Sequence, residues 1–521
     1  MLNKPTRLLH ETLLKSSELN PSKIALVAEG TEYTYSEFVY TSARIASILK
    51  EFGAQRGDRI ALYMDNTAYS VMAIYGILMI GCVFIVINPQ TKSDKLIYVI
   101  DNSDAKILLT DSHLAPFFNP ILHQLTKLEA LLFTGNEDAF INTLSSKLNF
   151  KIEFLPELIE DASPLEILPS CISVDLAALI YTSGSTGDPK GVMQTHQSML
   201  FAAQSIAEYL RLSPEHRILN VLPLAFDYGL YQLLMSVLIG ATLILERSFA
   251  YPALIFNRMK EQKVNVFPGV PTIYTYLVSS HRKKPLCFPD VTRITNTAAA
   301  LPIDYNTDLH QIFPNALIYR MYGLTECKRV CYLEPELNDI KPASVGKAIP
   351  GTEVFLLTPE GDAVPPGENG ILHVRGAHVM LGYWKDMELS AKMLKPGNLP
   401  GERILCAQDW FSMDEEGFLY FKGRSDDIIK TRGEKVSPIE VENVLLSIKG
   451  IREAAVIGIP DDLLGQSIKA FVSLDDLSLT PKFIQKHCMQ KLENFMVPKV
   501  IEIMDTLPKT DTGKITKKNL K

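Results

Sequence analysis

The sequence predicts an α/β protein with a large N-terminal domain of parallel-rich β-sheets covered by helices, and a small α+β C-terminal domain. Apolar β-type runs alternate with helical stretches through most of the chain, a pattern that favours parallel sheets. After about residue 350, turn-rich segments separate short strands, which indicates a β-rich subdomain. A length of 521 residues also exceeds what one ordinary hydrophobic core holds.

Individual elements can be located from these apolar runs. Strands are predicted at Arg59 to Tyr63, Lys106 to Leu109, Ala130 to Phe133, Ile218 to Val221 and Thr242 to Leu245, and helices at Tyr35 to Phe52 and Tyr251 to Gln262.

The uncharged segment from Tyr69 to Ile87 has nineteen residues, which is the length of a membrane span. Gly81 divides it into a helix-like half and a β-branched half that begins at Val83. A buried helix that runs into a buried strand of an α/β sheet explains both halves. We therefore predict no integral membrane span.

A short polar turn marks the predicted boundary between the domains. Beyond it come a strand-like Ile428-Ile429 pair and a helix. Pro438 is expected in the first turn of this helix and Ser437 at its N-cap. The predicted domains are therefore residues 1–424 and 425–521.

Charge and cysteine content exclude several classes of protein. The net charge of −7 argues against nucleic-acid binding, because such proteins usually present a basic face to the phosphates. The seven cysteines include no C-x-x-C pair, so neither a disulfide framework nor a zinc knuckle is expected. The N-terminal residues lack an apolar core of signal-peptide length. We expect a cytoplasmic protein in a reducing compartment.

The segment YTSGSTGDPKG, from Tyr181 to Gly191, has the composition of a phosphate-binding loop. A strand-like stretch leads into hydroxyl donors, a lysine, and glycines that let backbone N–H groups approach an anion. The candidate nucleotide-binding residues here are Thr182, Ser183, Gly184, Ser185, Thr186, Gly187 and Lys190. The spacing differs from that of the common P-loop, because Pro189 and not glycine precedes the lysine.

This loop resembles the signature loop of the adenylate-forming superfamily, which includes acyl-CoA synthetases, adenylation domains of nonribosomal peptide synthetases and beetle luciferases. The resemblance covers essentially the whole chain. Within the superfamily, the sequence looks most like stand-alone bacterial acyl-CoA ligases. The run YGLTE, from Tyr322 to Glu326, is similar to the family's second nucleotide motif. The resemblance implies that Tyr322 lies against adenine, that Thr325 contacts the α-phosphate and that Glu326 holds Mg²⁺.

Further nucleotide contacts follow from the same resemblance. It assigns ribose binding to Asp409 and the end of the first domain to Arg424, although Ala407-Gln408 stands where the family usually has Thr-Gly. The backbone of Thr297, Ala298 and Ala299 is expected to hold adenine, at a place where the family typically shows Ser-Gly-Gly-Ala-Pro.

The end of the chain, LPKTDTGKITKKNLK, resembles the family's terminal motif and places Lys514 at its catalytic lysine. A cation there would neutralise charge that develops in an in-line displacement at phosphorus. The resemblance implies that the C-terminal domain is mobile. Asp426 matches the hinge about which it rotates between half-reactions, and Gly433 lies on the loop that faces the thiol.

The segment VLPLAFDYGLYQLL aligns with the family's acyl-pocket segment, but it does not identify the acid that the enzyme activates. Phe226-Asp227 matches the Phe-Asp pair of peptide-synthetase adenylation domains, whose Asp binds the ammonium group of an amino acid. Arg329 either pairs with Asp227, which leaves an acyl substrate, or binds a second carboxylate on a polar acid. The predicted pocket residues are Phe226, Asp227, Tyr228, Tyr231, Met321 and Arg329.

The implied enzyme is an ATP-dependent acid–thiol ligase. A carboxylic acid attacks the α-phosphorus of ATP to give acyl-AMP and pyrophosphate, and a thiol then takes the acyl group. Expected cofactors are ATP, Mg²⁺ and, as acceptor, coenzyme A or phosphopantetheine on a separate carrier protein. An enzyme that activates an amino acid for such a carrier is one alternative. A non-catalytic nucleotide-binding protein is another, which Glu326 and Lys514 disfavour because binding alone needs neither as strongly.

Overall fold

Two large, mostly parallel β-sheets form the framework of the N-terminal part of the protein. The computed structural model describes residues 6–141, 150–166, 171–182, 189–297, 301, 302, 304–424, 427, 429–431, 434–461, 465–492, 495–510, 514–518 and 520.

The described strands before residue 425 belong to three sheets. In chain order they are β1 (Ile24–Ala28), β2 (Thr31–Thr34), β3 (Arg59–Tyr63), β4 (Val83–Ile87), β5 (Ala105–Asp111), β6 (Ala130–Thr134), β7 (Lys151–Phe154), β8 (Leu176–Thr182), β9 (Lys190–Thr195), β10 (Arg217–Asn220), β11 (Thr242–Leu245), β12 (Val266–Gly269), β13 (Arg293–Asn296), β14 (Leu317–Tyr322), β15 (Cys331–Leu333), β16 (Lys347–Ala348), β17 (Glu353–Leu357), β18 (Asn369–Arg375), β19 (Leu394–Pro396), β20 (Arg403–Met413) and β21 (Leu419–Arg424).

Helices connect most of these strands. In chain order they are α1 (Leu9–Leu19), α2 (Tyr35–Glu51), α3 (Ala68–Met79), α4 (Ser93–Ser103), α5 (Ala115–Phe118), α6 (Glu137–Ile141), α7 (Leu155–Asp161), α8 (His196–Tyr209), α9 (Asp227–Ile239), α10 (Pro252–Glu261), α11 (Pro271–Lys283), α12 (Tyr305–Ile312) and α13 (Met387–Met393). Short 3₁₀ helices lie at Ser112–Leu114, Asn119–Gln124 and Pro335–Leu337.

The strand order explains why so many strands are apolar along their whole length. One sheet has the order β16-β15-β14-β13-β12-β10-β11-β1-β2, with parallel pairing from β14 to β1 and antiparallel pairing at both edges. The other has the order β7-β6-β5-β3-β4-β8-β9, in which the β8–β9 pair alone is antiparallel among the described pairs. Helices cover parallel strands on both faces, so continuous apolar runs such as β6 are buried throughout.

The uncharged segment that has the length of a membrane span is a buried helix followed by a buried strand, as predicted. All but one of the α3 residues from Ala68 to Met79 are buried, and the helix packs against α1 and α2. Gly81 follows it with a φ of +71°, and β4 then begins at Val83. In the described part of the chain, no helix is both long enough and apolar enough to cross a membrane.

A third sheet contains the β-rich segment predicted after residue 350. Its order is β17-β18-β20-β19, and β21 pairs with β20. All its described pairs are antiparallel. Its core includes Leu372, Val374, Leu405, Phe411 and Leu419, and this core also contacts the end of β14 through Tyr322.

The described residues after 425 form a separate five-stranded sheet with two helices. Its elements are β22 (Ile429–Thr431), β23 (Glu434–Val436), α14 (Pro438–Leu446), β24 (Ile451–Asp461), β25 (Gly465–Leu474), α15 (Pro481–Lys491) and β26 (Val500–Ile503). As predicted, Ser437 caps α14 by accepting the N–H of Glu440, and Pro438 occupies the first turn. The Ser437 hydroxyl also donates to the carbonyl of Lys422, which ties α14 to the third sheet.

The predicted α/β class is therefore confirmed. The boundary between residues 424 and 425 stays a prediction, because residues 425 and 426 lie outside the described part of the chain.

Candidate active site

The predicted site residues lie mainly where parallel strands end. Thr182 ends β8, Thr297 follows β13 and Tyr322 ends β14, while Asp227 begins α9. Ligands of open α/β sheets bind at the carboxyl ends of the strands, because the connecting loops diverge there and leave a crevice. Asp409 and Arg424 come from the neighbouring third sheet, where they are directly opposite each other on β20 and β21.

Several predicted residues cannot be placed. Ser183, Gly184, Ser185, Thr186 and Gly187 of the phosphate loop lie outside the described residues, as do Ala298, Ala299, Asp426 and Gly433. The two ends of the phosphate loop are described, and they form the antiparallel pair of Thr182 with Lys190.

Tyr322 and Asp409, predicted to bind adenine and ribose, are in direct contact. The Tyr322 hydroxyl donates a hydrogen bond to Oδ2 of Asp409, whose residue is only 3 % exposed. The Tyr322 ring packs 4.9 Å from the ring of Phe411 and 5.6 Å from that of Phe421, between centroids. Arg424 Nε lies 3.6 Å from Asp409 Oδ1. Burial and the Asp409 charge raise the pKa of Tyr322 well above its ordinary value, so the phenol stays a donor.

Gln408, immediately before Asp409, has a left-handed backbone inside β20, where the pairing of β20 with β18 is irregular. Its φ of +58° costs about 1–2 kcal/mol for a residue with a Cβ. Its side-chain amide donates to the Sγ of Cys406 at 3.1 Å. The backbone at this position is therefore strained.

Glu326, the predicted magnesium ligand, accepts a hydrogen bond from Tyr383. The Tyr383 hydroxyl lies 2.5 Å from Glu326 Oε1. Tyr383 reaches this position because residues 381–384 run alongside β9: Met193 N–H donates to Gly382 O, and Trp384 N–H donates to Gly191 O. No motif in the sequence points to Tyr383. The strand that leaves the predicted phosphate loop therefore positions the hydrogen-bond partner of the predicted magnesium ligand.

The YGLTE turn is also fixed from β9. Gln194 Nε2 donates to the carbonyl of Thr325 at 3.0 Å, and Gln194 in turn accepts the Ser198 hydroxyl. Gly323 is required sterically, since a Cβ there would lie 2.2 Å from the carbonyl oxygen of Lys328. The backbone of the YGLTE turn is thereby held between β9 and the segment that follows the turn.

Glu326 fits a magnesium site of the kind completed by substrate. Among the described residues, the one group of three or more clustered metal-ligating side chains is Asp65, Asp111 and His113, which does not include Glu326. Mg²⁺ is commonly held by one or two carboxylates together with substrate phosphates, which supply the other hard oxygens. With Tyr383 on one carboxylate oxygen, Glu326 keeps lone pairs for such a shared ion.

Asp227 has a protein partner, but it is Lys328 and not Arg329. Lys328 Nζ lies 3.5 Å from Asp227 Oδ2, and Lys328 is 4 % exposed. Its ammonium also lies over the rings of Tyr231, at 4.6 Å, and Tyr228, at 5.4 Å. Burial lowers the pKa of Lys328 to about 7, with Asp227 opposing this shift and Arg329 reinforcing it. Of the two roles considered for Arg329, pairing with Asp227 is therefore filled by Lys328, a residue that the motifs do not reveal.

Arg329 extends between α9 and the end of β13. Its Nη1 donates to Thr297 Oγ1 at 2.5 Å, and its Cζ lies 5.6 Å from the centroid of the Tyr228 ring. The Tyr228 hydroxyl donates to the carbonyl of Thr295 at 2.8 Å. Arg329 thus lies among the predicted pocket residues, next to the start of the segment expected to hold adenine.

The remaining predicted pocket residues surround the same place. Tyr231 is fully enclosed, Met321 accepts the Tyr209 hydroxyl at its sulfur, and Phe226 packs edge to face against Tyr228 with centroids 6.1 Å apart. The start of α9 and the end of β14 therefore bring Phe226, Asp227, Tyr228, Tyr231 and Met321 together with Arg329. Gly229 has a close contact as well, since a Cβ there would lie 2.3 Å from the carbonyl oxygen of Pro223.

Lys514 enters this site from the C-terminal sheet. Its carbonyl accepts the N–H of Thr510 at 2.7 Å, and its own N–H donates to Thr510 Oγ1. Although the residue keeps contact with solvent, enclosure by the surrounding protein lowers the pKa of Lys514. The charges that oppose this shift are those of Asp227, Asp409 and Glu326. A lysine on one domain thus shares a cleft with the predicted substrate, ribose and metal carboxylates of the other.

Comparison with known proteins agrees with this geometry. The family model described as AMP-binding enzyme matches residues 13–384, and that of the AMP-binding enzyme C-terminal domain matches residues 440–514. A long-chain-fatty-acid–CoA ligase of Bacillus subtilis (strain 168) is 29% identical, over 99% of this chain and 94% of that protein.

Solved structures extend the similarity to the whole fold. The anthranilate CoA ligase AuaEII in complex with anthranoyl-AMP has a TM-score of 0.89 at 26% identity and covers 99% of this chain and 97% of its own. The O-succinylbenzoate coenzyme A synthetase MenE of Bacillus subtilis, in complex with ATP and magnesium ion, has a TM-score of 0.81 at 26% identity and covers 98% of each chain. The predicted superfamily and the predicted AMP-forming, acyl-CoA synthetase-like ligase class are confirmed. The chain belongs to the family of AMP-binding enzymes.

Proposed function

We propose that the protein is an ATP-dependent acid–CoA ligase that makes acyl-AMP and then an acyl thioester. The observation that carries this proposal is that Lys514, from the C-terminal sheet, lies within electrostatic range of Asp227, Asp409 and Glu326, which come from the N-terminal part of the protein. One structural relative, the MenE synthetase of Bacillus subtilis, has been solved in complex with ATP and magnesium ion. The name of a sequence relative, a long-chain-fatty-acid–CoA ligase, gives coenzyme A as the acceptor.

In the first half-reaction a carboxylate oxygen of the acid attacks the α-phosphorus of ATP. The bond from this phosphorus to the bridging oxygen breaks, and pyrophosphate leaves with the electron pair. The Tyr322 ring would lie against adenine, and the Asp409 carboxylate would accept the ribose hydroxyls. Glu326 would hold Mg²⁺, whose charge offsets that of the triphosphate.

Lys514 would stabilise the negative charge that spreads over the α-phosphate and the attacking carboxylate. A fixed cation is effective at such a place because no solvent has to reorganise when the charge develops. Thr325 and the loop from Thr182 to Lys190 would add neutral donors and a second cation. Arg424, near the same carboxylates, repels the Lys514 ammonium and so contributes to the lowered pKa of Lys514.

In the second half-reaction the C-terminal domain would turn away and a thiol would attack the acyl carbon, releasing AMP. We place the moving unit at residues 425–521, the hinge at Asp426 and the thiol-facing loop at Gly433. Coenzyme A is the proposed acceptor. A carrier protein with phosphopantetheine presents the same thiol, and thioester formation with either acceptor distinguishes the two. ATP and coenzyme A are cytoplasmic compounds, and we propose that location for the protein.

The Asp227–Lys328 pair favours an acyl substrate over an amino acid. A buried carboxylate needs a cation, and in an amino-acid-activating enzyme the substrate's ammonium group supplies it. Here Lys328 already supplies it at 3.5 Å. An α-amino acid would have to displace this lysine, so we do not assign amino acids as substrates.

ATP–pyrophosphate exchange with a panel of fatty, aryl, dicarboxylic and amino acids tests the proposal. We expect exchange with at least one acid, together with AMP and not ADP as the nucleotide product when coenzyme A is added. Folded protein that binds ATP but supports no exchange with any acid would instead be a non-catalytic nucleotide-binding protein.

A further inference from the structure

Among the described residues, the predicted acyl pocket holds two consecutive buried basic side chains beside one carboxylate. Lys328 and Arg329 are consecutive residues, 4 % and 2 % exposed. Among the described residues, the carboxylate that interacts with the Lys328 ammonium is that of Asp227, whereas Arg329 acts on it as a second cation. Asp227 therefore balances one of two buried cations.

The Arg329 guanidinium has hydrogen-bonding capacity that its neighbours leave unused. Nη1 donates to Thr297 Oγ1, which is a neutral acceptor. Nε is buried and has no hydrogen-bond partner in the described part of the structure. An arginine carries five N–H donors in a planar fork that matches a carboxylate, and a buried charge without a counter-ion is costly.

Lys328 and Arg329 have different roles in this arrangement. Lys328 is held by Asp227 and by the faces of Tyr228 and Tyr231. Arg329 lies over Tyr228 on the side of Thr297. The Asp227 charge is also the first of those that act on Lys514, so this end of the pocket is next to the reacting carboxylate. The Arg329 guanidinium is then available to bind the part of the acid that lies away from the reacting carboxylate.

We propose that the acid has a second carboxylate and that the Arg329 guanidinium binds it, so that the enzyme activates a dicarboxylic acid. This inference rests on the proposed function. An apolar acyl tail against Arg329 would leave the guanidinium desolvated without an anion, whereas a carboxylate supplies both the charge and the acceptors that its fork requires.

The test compares three series of acids of matched length in the ATP–pyrophosphate exchange assay. They are the α,ω-dicarboxylic acids from succinate to suberate, their monoamides, and the corresponding straight-chain monocarboxylic acids. The monoamide has the shape of the diacid without its second charge. We expect a diacid to exceed its own monoamide and the matched monocarboxylic acid in kcat/KM by about 10- to 100-fold, the range for a hydrogen bond between charged groups.

Variants of Arg329 then locate the recognised group. Arg329→Gln should lower kcat/KM for the diacid by about 10- to 100-fold more than kcat/KM for its monoamide, so that the two acids become similar. Arg329→Lys should retain part of the preference, because it keeps the charge and loses the fork. Arg282→Gln is the matched control, because Arg282 is an exposed arginine near the end of α11 that pairs with Asp308. This variant should change kcat/KM for neither acid.

The alternatives give different results. Monocarboxylic acids that match or exceed every diacid would overturn the inference while leaving the ligase activity established, and this comparison needs no variant to fold. An Arg329→Gln enzyme that keeps the diacid preference, or in which only the KM for ATP rises, would overturn it too. Absence of exchange with every acid would instead contradict the proposed function.

Discussion

Lys328 Nζ lies 3.5 Å from Asp227 Oδ2, and both side chains are almost completely enclosed by protein. Asp227 is in turn the first of the charges that act on Lys514. The buried pair therefore links the acyl pocket to the lysine from the C-terminal domain, and its removal should affect both stability and specificity.

Replacing Lys328 by methionine should destabilise the protein by about 3–5 kcal/mol, because it leaves the Asp227 charge buried without a partner. The free energy of unfolding from urea denaturation, measured at pH 6 where the lysine is charged, checks this. The double variant Asp227→Asn/Lys328→Met should lose less than Lys328→Met alone. Losses that simply add would mean that the two residues are not coupled.

The pH dependence of stability should report the lowered pKa of Lys328. Between a folded-state pKa of about 7 and the ordinary value of 10.5, the unfolded chain binds a proton that the folded protein lacks. Stability from this group therefore rises as the pH increases through that interval. The difference in unfolding free energy between the native protein and Lys328→Met should grow from pH 7 to pH 10. Parallel curves over this interval would contradict the assignment.

Asp409→Asn should weaken ATP binding by about 10- to 100-fold, because the charged acceptor for the ribose hydroxyls is lost. Tyr322→Phe keeps both the ring and the carboxylate and removes only the hydrogen bond between them. Its effect on the Kd of ATP, measured by calorimetry, should therefore be smaller. A larger effect for Tyr322→Phe would place the recognised group on the tyrosine.

Gln408→Gly should stabilise the protein by up to about 1 kcal/mol, because glycine adopts a positive φ without a steric penalty. The gain is reduced by the loss of the contact with Cys406 and by the greater freedom of glycine in the unfolded chain. Gln408→Ala, which keeps the Cβ and loses the contact, is the control and should be destabilising. A Gly variant that is less stable than the Ala variant would show that the backbone at Gln408 is not strained.

The residues proposed to act on the nucleotide could be predicted from motifs, because each is part of a short segment whose chemistry is local. Tyr383 was beyond such reasoning, since it is far from Glu326 in the chain and arrives only through the pairing of residues 381–384 with β9. Gly81 and the β-branched residues after it predict the α3–β4 division in the same direct way, because these signals are local in the sequence.

Lys328 escaped prediction for a different reason. In an extended chain, successive side chains point to opposite faces. If Arg329 points into the pocket, Lys328 is then expected to point away from it. The positive φ of Lys328, +62°, breaks this alternation, and both side chains become buried on the same side. A left-handed lysine has no signature in the sequence, which is why Lys328 was not among the partners considered for Asp227.

The central claim is that Lys514 serves the first half-reaction from a domain that afterwards moves away. Its direct test is to measure both half-reactions separately in Lys514→Ala, with Lys518→Ala as a control, since Lys518 is an exposed lysine near the end of the chain. We predict that Lys514→Ala lowers ATP–pyrophosphate exchange by about 100- to 1,000-fold and largely retains transfer from supplied acyl-AMP to coenzyme A. Equal loss in the two half-reactions, or exchange at the level of the control, would contradict it.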